Sequence, residues 1–138
     1  MGTRGMNWPD LEAPSLDDLE ELARVIFAEL PAEFRAFVQD IAFVVQDFPD
    51  EETMKDLGLE SEFELLGLFQ GSDLAAREAN RGAPEPTMIL LYRRPILDYW
   101  SENHETLGAI VRHVLVHEIG HHFGLSDDAM HAIEDGEG

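Results

Sequence analysis

The sequence predicts an α+β fold, a small mixed sheet packed on helices, and three observations carry that reading. Apolar residues recur at intervals of three and four over residues 15–30 and 104–123, the pattern of amphipathic helices. Residues 41–46 (IAFVVQ), 64–70 (ELLGLFQ) and 87–93 (TMILLYR) are short runs of apolar residues bounded by turn formers, as buried strands are. The order is helices, a strand, a helix, two strands, then helices, which suits helices laid on one small sheet.

Each element has its local cause. Residues 1–14 (MGTRGMNWPDLEAP) hold two Pro and two Gly without periodicity and read as a flexible arm. Ser15 is placed to cap the first helix, with Asp17 and Asp18 favoured in its first turn. Leu16, Leu19, Leu22, Ala23, Ile26 and Phe27 form its apolar stripe. Pro31 opens a short second helical turn to Gln39. Residues 50–57 are acidic and helical, stopped at Gly58. Gly71 closes the second strand, residues 72–86 form a loop, and residues 95–100 turn the chain through a helical turn. The long helix over residues 104–123 buries Leu107, Ile110, Val111, Val114, Leu115, Ile119 and Phe123. Gly124 ends it, and Ser126 can cap a last helix over residues 127–134. Residues 135–138 fray. One domain over residues 15–134 is expected.

Composition narrows the function. A chain of 138 residues, 44% apolar, can bury a core. It has no cysteine, so disulfides, thiolate nucleophiles and thiolate metal ligands are excluded, and any metal falls to His, Asp or Glu. With 29 acidic and 9 basic residues the formal charge is −20, which repels nucleic acid and favours cations or basic peptides as partners. No apolar run approaches the ~18 residues of a membrane span, and no basic segment leads into an apolar one, so a soluble, cytoplasmic chain is expected. A monomer is compatible with all of this.

Four of the six histidines fall within ten residues, in VRHVLVHEIGHHFGLSDD (residues 111–128). His117-Glu118-Ile119-Gly120-His121 is H-E-x-x-H. On a helix, His117 and His121 lie one turn apart on one face, with Cβ atoms roughly 5–6 Å apart. Two imidazoles so spaced reach a common zinc at about 2.0–2.1 Å. Glu118, about 100° round the helix, stands beside the metal as a general base rather than a ligand. A catalytic zinc takes a third protein ligand, and the turn at Gly124 brings Asp127 forward for it, with Asp128 as its rival. The full pattern is H-E-x-x-H-x-x-G-x-x-D. His113, one turn before His117, is either a surface residue or a neighbour of the metal or substrate. His122 points off the metal face. Tyr92, Tyr99, Arg112 and His113 are candidates to stabilise an oxyanion.

At these residues the chain resembles the small, single-domain bacterial minimal zincins, a metallopeptidase family. LPAEFRAFVQDIAFVVQDFP, LLGLFQG, ILLYRRPI and VLVHEIGHHFGLSDDAM match it in order, over about 100 residues. The resemblance implies a reduced zincin fold with the sheet lying on the metal helix. It also implies one zinc ion on His117, His121 and Asp127, Glu118 as base, and a peptide or protein substrate of unstated identity. Metzincins carry histidine in place of Asp127 and a later methionine turn, for which the 11 residues after Asp127 leave no room. An extended substrate is expected to add to an edge of the sheet, with residues 87–93 as the edge strand. The alternative reading is a non-proteolytic metal-binding or interaction module that keeps the site. A structural zinc module would want four protein ligands, and three are offered.

Overall fold

The computed structural model describes residues 7–38, 40–71 and 87–135. The expected loop over residues 72–86 lies outside them. Trp8–Asp10 make a 3-10 turn. At Ser15 the hydroxyl accepts from the Asp18 amide at 3.0 Å, and the Asp18 carboxylate accepts from the Ser15 amide at 2.9 Å. This reciprocal cap starts α1 (Leu16–Glu29), which buries Leu19, Ala23 and Ile26. After Pro31 comes α2 (Ala32–Arg35), shorter than the turn expected to run to residue 39.

Strand β1 (Ala42–Gln46) leads to α3 (Glu51–Leu57). The Asp50 carboxylate caps α3 by accepting from the Thr53 amide at 2.7 Å, and Gly58 ends it in the left-handed region at φ 65°. Strands β2 (Gly67–Gln70) and β3 (Met88–Tyr92) complete a three-stranded sheet. Its order is β1-β3-β2, with β1 parallel and β2 antiparallel to β3.

The order corrects one expectation. The run at residues 87–93 is the central strand, so it has no free edge for a substrate; among the described residues β1 and β2 are the edges. The physical reason is legible afterwards. Ile89, Leu90, Leu91 and Tyr92 are all buried, and a strand covered on both faces reads as an unbroken apolar run.

Two further differences concern boundaries. The turn expected at residues 95–100 is a ten-residue helix, α4 (Arg93–Glu102). Pro95 falls in its first turn, where an amide would have no partner in the helix, so it does no harm. The long helix α5 runs Leu107–His122 and starts three residues later than the periodicity implied. Thr106 sets that start, its hydroxyl accepting from the Ala109 amide at 3.1 Å. The last helix, α6 (Asp127–Glu134), begins where Ser126 accepts from the Ala129 amide at 3.1 Å.

Register aligns Phe43, Ile89 and Phe69 in one row and Val45, Leu91 and Gly67 in the next. These rows face the helices. Phe27 of α1 meets Phe43 edge-on at 5.6 Å. A Cβ at Gly67 would lie 2.5 Å from Cγ1 of Val114 and 3.0 Å from the Leu90 carbonyl, so only glycine lets β2 lie this close to α5. The core between sheet and helices is built on Leu19, Ile26, Ile89, Leu91, Leu115 and Ile119.

Candidate active site

Helix α5 is buried along Ile110, Val111, Val114, Leu115 and Ile119, and that registry turns His117, Glu118 and His121 toward a cavity of about 380 Å³. The wall opposite is the chain entering β2, residues 64–67, brought there by the close approach at Gly67. Tyr99, Glu105 and His113 also line it. The His117 and His121 rings lie 5.7 Å apart, one turn apart on one face as the spacing predicts.

Glu118 is partly buried on this wall. Burial pushes its carboxyl above the ordinary carboxylate range, and the nearby His121 and His113 only partly offset that. Tyr92 is buried and held above the ordinary phenol range, first by burial and then by Asp50 and Glu118. Among the oxyanion candidates Tyr99 and His113 line the cavity. Arg112 is engaged elsewhere: its Nε donates to the Glu134 carbonyl at 2.8 Å and an Nη donates to the Ile133 carbonyl at 3.0 Å. It closes the C-terminal end of α6.

The glycine turn forms as its chemistry suggests. Gly124 has φ 74°, its amide donates to the His121 carbonyl at 3.2 Å, and the Leu125 amide donates to Gly120 at 2.9 Å. This double bond pattern ends α5 and reverses the chain. Asp127 and Asp128 then open α6 as exposed residues, and neither lines the cavity. His122 points away from the face of His117 and His121 and packs on Phe69 at 4.6 Å and Phe123 at 5.0 Å.

One residue escaped the sequence reading. Glu134, in the last turn of α6, reaches back to α5. One carboxylate oxygen lies 3.0 Å from Nε2 of His117 and the other 2.5 Å from Nδ1 of His113. His131 Nδ1 is 3.6 Å from the same carboxylate. Burial alone would raise the Glu134 carboxyl, but its bonds to His117 and His113 and the charge of His113 outweigh it and hold it low. The His113 and His117 rings stack at 4.0 Å. Among the described residues, His113, His117 and Glu134 are the trio whose donor atoms lie within 4.8 Å of one another. The available signal was His131 and Glu134 spaced three apart on the helix that Asp127 begins, with Glu134 two turns beyond Asp127 on its face.

No described helix is long and apolar enough to cross a membrane. No curated protein matches the chain. The family model for zincin-like metallopeptidases matches residues 38–137, a span from just before β1 through the HEIGH helix and α6. The reduced α+β architecture agrees with it, and the chain belongs to the zincin-like metallopeptidase family.

Proposed function

We propose that this protein hydrolyses peptide bonds at the α5 cavity, with one zinc ion held by His117, His121 and Asp127 and with Glu118 as general base. The observation that carries the reading is Glu118, half-buried on the same cavity wall as His117 and His121. Two imidazoles and a carboxylate, with no thiolate anywhere in the chain, are a donor set that suits zinc. When bound, zinc supplies polarisation of the scissile carbonyl and acidification of a water.

The chain's own residues do the rest. Glu118 takes a proton from the attacking water and passes it to the leaving amine. Its burial makes it a stronger base than a solvated carboxylate, which suits the first of these transfers. Tyr99 and His113 are the donors on the cavity wall available to the carbonyl oxygen. An extended peptide aligns along β2, an edge strand among the described residues, where residues 64–67 border the cavity, and main-chain hydrogen bonds hold it. Glu64 and Glu105 on the cavity wall, within a chain of charge −20, favour basic peptides.

The test is a proteome-derived peptide library incubated with the zinc-loaded protein, cuts being read by mass spectrometry. Cuts made by the wild type and lost in Glu118→Gln at equal zinc content support the reading. Absence of cuts by zinc-loaded wild type rejects it.

A further inference from the structure

His117 borders the α5 cavity and also meets α6. There Glu134 is not a loose surface acid: Arg112 fixes the two carbonyls of its turn, at Ile133 and Glu134, and the carboxylate is only 15% exposed. It is aimed at two imidazoles. The donors are Nε2 of His117 and Nδ1 of His113, each within hydrogen-bond reach of its own carboxylate oxygen. A third imidazole, His131, stands at 3.6 Å. We propose that His113, His117 and Glu134 form a divalent-cation site of their own, taking zinc or a similar borderline ion.

The geometry supports this beyond mere proximity. Zinc ligands at about 2.0–2.2 Å from a tetrahedral ion stand roughly 3.3–3.6 Å from each other. The trio's donor atoms already lie within 4.8 Å, so small side-chain rotations suffice. His113 and His117 come from consecutive turns of a helix buried along its other face, which fixes their spacing. The trio is open to ions from two sides. His113 and His117 line the α5 cavity, while His113 and Glu134 line a second one of about 300 Å³ beside Arg112. A cation here takes the lone pairs of the two imidazole nitrogens, which must be free of protons to bind it.

The site shares His117 with the proposed catalytic set, and the inference rests on that reading only for this overlap. Nε2 of His117 has one lone pair, so a cation bound through it in one set excludes a second. The trio therefore competes with the His117–His121–Asp127 set.

The test measures zinc stoichiometry and affinity by competition with a chromogenic chelator, and the visible spectrum of the cobalt-substituted protein. The variants are Glu134→Gln, His113→Ala, His121→Ala and Asp127→Asn, with folding of each checked by circular dichroism. His113 is more than half exposed, so its removal leaves the core intact. The expected result is that Glu134→Gln and His113→Ala each weaken zinc by more than about 10-fold and alter the cobalt spectrum. Loss of an outer partner of a metal ligand also costs about 10–100-fold, so what upholds the trio is zinc binding that survives in His121→Ala and Asp127→Asn. If His121→Ala and Asp127→Asn bind as wild type while the first two fail, the trio is upheld and the catalytic ligand set falls. If all four weaken binding, the residues act as one joint site rather than two competing ones, and the trio as a site of its own is refuted. If Glu134→Gln and His113→Ala bind zinc as well as wild type, or tighter, the trio is refuted. In that case Glu134 only satisfies metal-free imidazoles, and the catalytic reading survives through His121 and Asp127.

Discussion

Two glycines on the same helix should respond differently to alanine. At Gly120, facing α6, a Cβ would lie 2.5 Å from Sδ and 2.9 Å from Cγ of Met130. Ordinary contact begins at 3.4 Å, so Met130 must retreat by about 1 Å. Met130 is fully buried, and both atoms sit inside its side chain rather than at its tip, so α6 must shift with it. Overpacking of this kind costs about 1–3 kcal/mol. Helix propensity returns about 1 kcal/mol. Gly120→Ala should therefore range from neutral to about 2 kcal/mol destabilising. At Gly108 the nearest atom to a new Cβ is Ile26 Cδ1 at 3.9 Å, an ordinary contact. Gly108→Ala should stabilise by about 0.5–1 kcal/mol. The propensity gain is common to both, so their difference isolates the α5–α6 clash. For a domain of this size it corresponds to a gap of roughly 4–12 °C in Tm. The assay is thermal unfolding of both variants in excess chelator, so that metal linkage does not enter. Equal shifts of the same sign would refute the close packing of α6 on α5, and with it the placement of Glu134.

Other expectations follow from the same contacts. Glu118→Gln should keep its zinc, measured by metal analysis, and lose about 10²–10⁴-fold in peptide cleavage, the usual worth of a general base. Arg112→Met keeps the aliphatic stem but abandons two carbonyls of α6, and should destabilise by about 1–3 kcal/mol in urea unfolding. Gly67→Val should lift β2 from Val114 and cost about 1–3 kcal/mol, read in the same assay. The capping carboxylates set an acid dependence. Amide donors from Ser15 and Thr53 hold Asp18 and Asp50 below the ordinary carboxylate value. A depressed folded pKa contributes stability that is present above the unfolded value of about 3.9 and lost as pH falls through the folded one. Urea midpoints at pH 7 and pH 3 should differ more for wild type than for the Asp18→Asn, Asp50→Asn double variant, and equal differences would reject the assignment.

Much of the architecture is written locally. Ser15, Asp50 and Ser126 cap their helices because a short polar side chain before an apolar run can do little else so well, and Gly58 and Gly124 end theirs where a side chain would be strained. Boundaries were less legible. The ten-residue α4 is longer than the helical turn expected at residues 95–100, since a proline in the first helical turn costs nothing and the helix begins before it. The central place of β3 was misread as an edge, since an apolar run announces burial but not which strands flank it.

By itself the sequence determined the fold class, the helix that carries His117, Glu118 and His121 on adjoining faces, and the glycine turn after it. These depend on interactions within a turn or two of the chain, so they can be read from spacing. Only the tertiary structure decided that β2 borders the cavity, that Arg112 is spent on α6, and that Glu134 meets His113 and His117 from 17 residues beyond His117. Those contacts depend on how helices and sheet pack. Bare backbone at Gly67 and Gly120 lets neighbouring elements approach, and nothing in the local pattern says which neighbours they will be.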